Sequence, residues 1–427
     1  MKVLMFGWEY PPFISGGLGT ACYGITQGLA EQDVEVVFVV PRMRGRMEGQ
    51  HIRLIDGSTV RLREEDIGGM VKTLSCKPID AFLIPYMNEE SYREALEKAM
   101  AVNDGGDDDR DQKQADDRWS HYGPDLWSEV FRYGKVARHL AGQESFDVIH
   151  VHDWMTMPAG IEAKQETGKP LVVHVHALES DRTSGRINER IYGIEREGMM
   201  RADCVIAVSH YTKRKIVDQY GIEHGKISVV HNAVTHGESR QRCSVVKNPD
   251  RPCVLFLGRM TYQKGPDYFL EAAAKIVKKN NAVTFIMAGS GDMLGSLKEE
   301  VVRLGIENNV SFTGFLRGTD VEAAYAVSDL YVMPSVSEPF GITALEAVMY
   351  DVPVIVSSQA GVCEILKNCP TVDFWDTDGL AHKILEILEK EELRVHIVRR
   401  CRDEMKHVSW KIAGGKIKNV YRTLMMV

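Results

Sequence analysis

Short runs of apolar, mostly β-branched residues recur along the chain and alternate with longer segments that have helical spacing of apolar residues. This alternation is typical of βαβ units, which form parallel sheets covered by helices on both faces. Strands buried on both faces are continuously apolar, as these runs are. In the first half of the chain, seven runs predict strands: Val3–Phe6, Val34–Val40, Ala81–Ile84, Val148–Val151, Leu171–Val175, Cys204–Val208 and Ile227–Val230.

A polar, proline-containing stretch over residues 236–252 separates these runs from a second series and predicts a linker. The sequence therefore predicts an α/β fold of two doubly wound, Rossmann-like domains that face a central cleft. The first domain spans 1–240 and the second 241–408. The second series consists of Val254–Leu257, Val283–Ala288, Leu330–Met333 and Val352–Val356.

Residues 409–427 form the last predicted unit, a helix that begins at Trp410. Its apolar residues are spaced for one buried face, and we expect that face to pack back on the first domain. The predicted face consists of Trp410, Ile412, Ile417, Val420, Tyr421 and Leu424.

Composition excludes several classes of protein. The net charge is −8, whereas a nucleic-acid-binding protein normally carries a basic surplus, so no nucleic-acid partner is expected. No apolar run approaches the roughly 18 residues that span a bilayer, so no integral membrane segment is expected. The eight cysteines form no C-x-x-C pair, which predicts reduced thiols and a cytoplasmic location. Residues 103–118 are polar apart from Ala115 and predict a solvated loop.

A glycine pair, Gly16-Gly17, lies between the first predicted strand and a helix. Glycine lets a backbone approach a ligand closely, and the helix start behind the pair favours an anion. The spacing is not G-x-G-x-x-G, so the pattern does not predict dinucleotide binding. A tight turn from strand to helix explains the pair equally well.

Two H-x-H pairs, His150/His152 and His174/His176, end neighbouring predicted strands. Strand alternation places the members of each pair on one face, at the edge where α/β sheets bind ligands. Three interpretations stay open: satisfied structural histidines, zinc ligands of a hydrolase, or a catalytic hydrogen-bonding group beside Asp153.

Two cations, Arg259 and Lys264, lie on the loop after the first strand of the second domain. A planar guanidinium and a point charge at this spacing suit a diphosphate, although a surface charge pair is the alternative. Gly289 ends another strand on the same rim, where backbone groups suit a nucleotide base.

Two carboxylates eight residues apart, Glu338 and Glu346, flank a turn that opens a helix. The N–H groups of Gly341, Ile342 and Thr343 at the helix start suit a phosphate, and a carboxylate suits ribose hydroxyls. Thr343-x-x-Glu346 also matches a capping box, in which Glu346 only satisfies the helix N-terminus.

These motifs together resemble the retaining nucleotide-sugar glycosyltransferases of the GT-B fold, family four. Glu338-Pro-Phe-Gly-Ile-Thr-Ala-Leu-Glu346 and Gly258-Arg259…Lys264-Gly265 carry the resemblance to the family. The glycogen and starch synthase branch is resembled by three further motifs: Trp8-Glu9-Tyr10-Pro11-Pro12…Gly16-Gly17-Leu18, His150-Val-His152-Asp153-Trp154 and Tyr122-Gly-Pro-Asp-Leu-Trp127.

The resemblance implies a role for each motif. Gly16 and Gly17 would approach the donor, Arg259 and Lys264 would bind its phosphates, and Glu338 would lie beside the transferred sugar. Glu346 would hold the ribose, while His176 and Asp153 would be catalytic.

The implied reaction extends an α-1,4-glucan from UDP-glucose or ADP-glucose, with no metal and no cofactor. A small-molecule or lipid acceptor is the alternative within the class. Two positions depart from the branch and leave the donor nucleotide open: Ser15 stands where glycogen synthases usually carry Lys, and Phe340 where the bacterial ADP-glucose enzymes have Cys.

Overall fold

The computed structural model describes residues 1–11, 16–43, 51–60, 126–183, 187–234, 247–248 and 250–426. Four features of the sequence analysis lie outside these residues: the predicted strand Ala81–Ile84, the polar segment 103–118, Ser15 and most of the predicted linker. Elements are numbered below in chain order over the described residues.

The first domain contains a seven-stranded sheet and six helices within the described residues. Its elements are β1 Lys2–Phe6, α1 Gly17–Ala30, β2 Glu35–Val40, β3 Arg53–Asp56, α2 Leu126–Gln143, β4 Val148–His152, α3 Met157–Thr167, β5 Leu171–Val175, α4 Glu179–Arg182, α5 Glu189–Arg201, β6 Cys204–Ala207, α6 His210–Tyr220 and β7 Ile227–Val229.

The second domain contains a six-stranded sheet, and a final helix follows it. The elements are β8 Cys253–Leu257, α7 Pro266–Val277, β9 Thr284–Ala288, α8 Leu294–Leu304, β10 Val310–Gly314, α9 Thr319–Val327, β11 Leu330–Met333, α10 Ile342–Met349, β12 Val354–Ser357, β13 Thr371–Val372, α11 Thr377–Glu389, α12 Glu391–Met405 and α13 Trp410–Met425.

The two sheets share one strand order, except that the first has one additional strand at its edge. The strand orders are β3-β2-β1-β4-β5-β6-β7 and β10-β9-β8-β11-β12-β13, and the paired strands run parallel. This is the doubly wound order, in which the direction of winding reverses beside the first strand of each domain. The predicted fold class, two Rossmann-like α/β domains, is confirmed.

The central strands form where the sequence offers apolar side chains to both faces. Every residue of β4 and β5 is buried, including their histidines. The helices that cover them begin and end at ordinary signals: the Ser209 side chain caps α6, and Gly168 and Gly221 end α3 and α6 in the left-handed conformation.

The last helix packs against the first helix at very short range. A Cβ atom on Gly24 would lie 2.0 Å from the Trp410 indole, and one on Gly28 would lie 1.9 Å from the Trp410 carbonyl oxygen. A Cβ atom on Gly414 would lie 2.3 Å from the carbonyl carbon of Gly28. Three glycines therefore let the backbones of α1 and α13 approach each other more closely than any side chain would allow.

One residue of the predicted α13 face is misplaced. Ile412 is 43% exposed, whereas Trp410, Ile417 and Tyr421 are buried. The helix begins at Trp410 and the Ser409 side chain caps it, so Ile412 lies on the outer side of the first turn. Over the described residues, no helix has both the length and the apolar character needed to cross a membrane.

Candidate active site

Most of the predicted site residues follow the carboxyl ends of strands at or next to the points where the strand order reverses. These crevices lie between β1 and β4 in the first sheet and between β8 and β11 in the second. Open α/β sheets bind ligands there, at the carboxyl ends of the strands. The glycine pair follows β1, Asp153 follows β4, His176 follows β5, Arg259 and Lys264 follow β8, and Glu338 follows β11.

In the second domain, Lys264 and Glu338 form an ion pair across the crevice. Lys264 Nζ lies 2.5 Å from Glu338 Oε2, and Ser335 Oγ lies 3.2 Å from the same oxygen. Glu338 is only 6% exposed, while the Lys264 side chain is 22% exposed. A small cavity between the two loops is lined by both residues together with Tyr331, Ser335 and Thr343. Spacing alone placed Lys264 beside Arg259 and did not predict its pairing with Glu338.

Gln263 ties the cation loop to the Glu338 loop. Its side-chain oxygen accepts a hydrogen bond from Arg259 Nη2 at 3.1 Å, and its side-chain nitrogen donates to the Ser337 carbonyl oxygen at 3.1 Å. The Gln263 carbonyl oxygen accepts from the Val336 N–H at 2.9 Å. Arg259 is therefore held on the same rim as Glu338, as a shared donor site requires.

Two glycines on this rim are required by the backbone itself. Gly265 has φ 62°, and a Cβ there would lie 2.2 Å from the Pro334 carbonyl oxygen. Gly289 has φ 143°, and a Cβ there would lie 1.8 Å from the Gly258 carbonyl oxygen. Both conformations favour glycine, and both bring neighbouring loops into backbone contact.

The interpretation of Glu346 as a capping-box residue is wrong. Helix α10 begins at Ile342 with Gly341 as its N-cap, at φ 107°, so Thr343 lies inside the helix. The Thr343 hydroxyl lies 2.7 Å from the Tyr331 hydroxyl instead. Glu346 accepts a hydrogen bond from the Tyr325 hydroxyl at 3.1 Å and is partly exposed. The N–H groups of Ile342 and Thr343 do lie at the helix start.

In the first domain, the space around the glycine pair is open. A Cβ atom on Gly16 or Gly17 would meet none of the described residues within 4 Å, and Gly16 has extended backbone that any residue can adopt. Packing against the described part of the chain therefore does not require glycine at these positions. The start of α1 already holds an anion, because Glu9 Oε1 accepts the Gly19 N–H at 2.9 Å and Glu9 is 4% exposed.

Asp153 joins the ends of β4 and β5. Its Oδ1 accepts the backbone N–H of His176 at 2.7 Å and that of Ala177 at 3.3 Å, and its side chain is fully buried. Asp153 has φ 60° and ψ 175°, a region that non-glycine residues rarely occupy. Such strain concentrates at functional sites, and the two hydrogen bonds to Asp153 fix the backbone of His176 at the end of β5.

The four histidines form a buried row on the sheet face that α1 and α13 cover. His150 Nδ1 contacts the Tyr421 hydroxyl of α13, and His152 Nδ1 lies 3.0 Å from His176 Nε2. Burial lowers the pKa of all four side chains, that of His150 to about 3, and Asp153 partly opposes this for His176. The imidazoles are therefore uncharged at neutral pH.

Ser337, next to Glu338, contacts the first domain. Ser337 Oγ donates to Asp181 Oδ1 at 2.6 Å and lies 2.9 Å from the Tyr211 hydroxyl. Lys215 pairs with Asp181 and also donates to Ser337 Oγ at 3.2 Å. Asp181 belongs to the segment that continues from His176, so the predicted catalytic edge and the predicted donor loop meet through this contact.

A second contact between the domains lies at the start of α6. Glu364 accepts the backbone N–H of His210 at 2.9 Å and that of Tyr211 at 2.8 Å, and it contacts His231 Nε2 at 2.7 Å. Ser209 Oγ donates to the Pro339 carbonyl oxygen at 2.6 Å.

Sequence reasoning missed several residues that organise the site. Gln263 lies between Arg259 and Lys264, within a motif that was recognised. Its polar side chain beside two cations could have indicated that it helps to organise the loop. Asp181 and Ser337 are 156 positions apart and carry no local signal, because their contact depends on how the domains meet. Tyr331 was included only as a position of the predicted strand Leu330–Met333, and Tyr325 was not singled out.

Comparisons with known proteins support the resemblance to glycosyltransferases. Residues 238–404 match the family described as Glycosyl transferases group 1, and residues 100–238 match Glycosyltransferase Family 4. Glycosyltransferase MJ1607 of Methanocaldococcus jannaschii is 29% identical over an alignment of 447 positions, which covers 100% of this chain and 99% of that protein. Glycogen synthase of Mycobacterium tuberculosis is 24% identical over 433 residues, covering 99% of this chain and 94% of that protein.

The solved structure of sucrose-phosphate synthase from Thermosynechococcus elongatus has the same fold. It superimposes with a TM-score of 0.74 at 17% identity and covers 100% of this chain and 99% of that chain. The two family matches meet at residue 238 and together span residues 100–404. The chain is therefore a group 1 glycosyltransferase of the GT-B fold, with a family 4 domain preceding its group 1 domain.

Proposed function

We propose that this chain is a retaining glycosyltransferase that transfers glucose from UDP-glucose or ADP-glucose to an α-1,4-glucan. One observation carries the proposal: the Lys264–Glu338 pair at the crevice of the second sheet adjoins Ser337, which bonds to the segment after His176. A cation for the donor phosphates and the catalytic edge of the other domain thus border one cleft. Similarity to a glycogen synthase over nearly the whole chain supports the acceptor.

The donor is held by the second domain. Arg259 and Lys264 bind the diphosphate, since a forked guanidinium and an ammonium charge suit adjacent phosphates. The N–H groups of Ile342 and Thr343 at the start of α10 add donors, and Glu346 accepts from the ribose hydroxyls. Backbone groups at Gly289 contact the base, and the glycine pair of the first domain leaves room for the sugar.

Transfer breaks the bond between the sugar C1 and the diphosphate and forms a bond from the acceptor oxygen to C1 on the same face. The departing phosphate takes the acceptor proton, while Arg259 and Lys264 neutralise the charge that develops on it. Glu338 lies beside the sugar. The uncharged His176, held by Asp153, exchanges a hydrogen bond with a sugar hydroxyl. Because these two side chains neutralise the charge of the diphosphate, the proposed reaction needs no metal and no cofactor.

The test is a donor panel with glycogen as acceptor, followed by release of nucleoside diphosphate. We expect release from UDP-glucose or ADP-glucose that depends on glycogen, and a product whose new linkage has the α configuration by NMR. Lys264→Ala should abolish release. Lys275→Ala is the matched control, because Lys275 pairs with Asp378 on the outer side of the same domain.

Two other outcomes would redirect the proposal. Donor consumption with phosphorylated sugars, polyols or lipids but not with glycogen would leave a glycosyltransferase with a small or lipid acceptor. Hydrolysis of substrates without any nucleotide sugar, dependent on added zinc, would instead support a hydrolase built on the histidines. No release from any glucose donor in the presence of glycogen would contradict the proposed reaction.

A further inference from the structure

Three buried histidines lie behind the carboxyl end of β5, which His176 follows, and the proposed transfer reaction does not use them. His150, His152 and His174 are at most 1% exposed, and one ring nitrogen from each lies within 4.8 Å of the others. Two of them belong to β4, and the parallel register places His174 of β5 directly beside His152. They occupy the face of the first sheet that carries Phe38 and that Tyr421 of α13 contacts.

Most ring nitrogens in this group have no hydrogen-bond partner among the described residues. His150 Nε2, His152 Nε2 and both nitrogens of His174 are buried and unpaired. Each unpaired buried polar atom costs about 1–3 kcal/mol, so a set of this size calls for an occupant such as an ion. Apolar side chains at the same strand positions would avoid the cost entirely.

The paired nitrogens have the arrangement found behind metal-binding histidines. Tyr421 contacts His150 Nδ1, and His176 contacts His152 Nδ1 at 3.0 Å. Such contacts fix the orientation of a ligating imidazole and leave its other nitrogen for the metal. Here they leave Nε2 on both histidines of the same strand, and His174 adds a third nitrogen from the next strand.

We propose that His150, His152 and His174 bind a divalent transition-metal ion, best fitted by Zn²⁺, as a structural centre behind the catalytic edge. Three imidazole nitrogens are an established zinc ligand set, and imidazole favours zinc over magnesium or calcium. Nitrogens at about 2.0–2.1 Å from a tetrahedral zinc ion lie about 3.3 Å from one another, so nitrogens up to 4.8 Å apart must move closer by roughly 1.5 Å, and a water molecule would complete the coordination.

The ion would fix His152 and, through it, the ring of His176. It would lie under α1 and α13, away from the cations that face the donor diphosphate. The proposal therefore does not rest on the proposed function, and it concerns the stability of the first domain rather than the chemistry of transfer.

The test uses the full chain without a histidine tag. After dialysis against metal-free buffer, the protein is loaded with Zn²⁺ or Co²⁺, passed through a desalting column and analysed by elemental mass spectrometry. We expect about one ion per chain, a visible absorption band from four-coordinate Co²⁺, and a melting temperature that rises on loading. Fewer than 0.1 ion per chain in folded, zinc-loaded protein, with an unchanged melting temperature, would overturn the proposal.

Two variants locate the site. His174→Phe should reduce the retained ion to below 0.1 per chain, whereas His176→Ala, which removes no proposed ligand, should retain about one. An ion that His174→Phe retains in full would overturn the assignment. If His174→Phe does not fold, the ion content and Co²⁺ spectrum of the wild-type chain decide the question alone.

Discussion

Removal of the Lys264 charge should weaken binding of the nucleoside diphosphate, while removal of the Glu338 charge should strengthen it. In the ligand-free chain the two side chains pair at 2.5 Å, and Glu338 is 6% exposed. A diphosphate must therefore compete with Glu338 for the ammonium group of Lys264. This competition follows from the structure and could not be read from the spacing of the motif.

The magnitude follows from one charge-assisted hydrogen bond, which contributes about 1.5–3 kcal/mol. Lys264→Met should raise the Kd for UDP or ADP by roughly 10- to 100-fold, since 1.4 kcal/mol is a factor of ten. Glu338→Gln should lower the Kd, because the neutral amide no longer holds the ammonium group. The double variant should bind like Lys264→Met.

Isothermal titration calorimetry with UDP and with ADP measures these constants directly. Lys264→Met also leaves a buried carboxylate without its partner, which costs about 3–5 kcal/mol for a fully buried pair and less here. Its melting temperature should therefore fall, and the double variant should recover most of the loss. Lys275→Met is the matched control and should leave the Kd unchanged. A Kd for Lys264→Met within twofold of wild type, or weaker binding by Glu338→Gln, would refute the competition.

Three further perturbations test other parts of the molecule. Gly28→Ala places a Cβ 1.9 Å from a backbone oxygen of α13, so we expect a loss of about 1–3 kcal/mol and a lower melting temperature; Gly193→Ala in α5, where a Cβ meets nothing within 4 Å, should instead be neutral or stabilising. Glu346→Gln keeps an acceptor oxygen for its tyrosine partner, so the melting temperature should hold while the donor KM rises about tenfold; an unchanged KM would exclude the ribose role. Burial raises the pKa of Glu195 to about 7, so the folded chain holds a proton that the unfolded chain releases near 4.5. Stability should therefore fall by about 3 kcal/mol as the pH rises between these values, and Glu195→Gln should flatten the profile of melting temperature against pH.

Most of the strands that the sequence predicted are buried on both faces, although the edge strand β7 was predicted as well. β4, β5 and β11 are buried at every residue, and a run of apolar side chains is sufficient to recognise them. The three strands that were missed, β3, β10 and β13, lie at sheet edges and carry exposed or partly exposed residues. Their identity depends on a neighbouring strand, which no local pattern records.

Sequence reasoning about the candidate site extends as far as single loops. Arg259 and Lys264 lie on one loop, so their spacing places both on the same rim of the second domain, and their role in binding a donor stays a prediction. The capping box failed because Gly341, at φ 107°, starts the helix before Thr343. Contacts between distant segments, such as Ser337 with Asp181, required the three-dimensional arrangement of both domains.

The two domains are joined by contacts of two physical kinds, and the difference bears on how the cleft can open. The contact between α1 and α13 is apolar, buried and held at backbone distance by glycines, so separating it would expose core surface. The contacts of Ser337, Pro339 and Glu364 with the first domain are hydrogen bonds, which water can replace at little net cost. Polar interfaces between domains are the ones that part most readily. Opening of the cleft would therefore leave α13 on the first domain and break the polar set. That movement draws the Glu338 loop away from the segment that follows His176, so opening of the cleft would also separate the two halves of the proposed site.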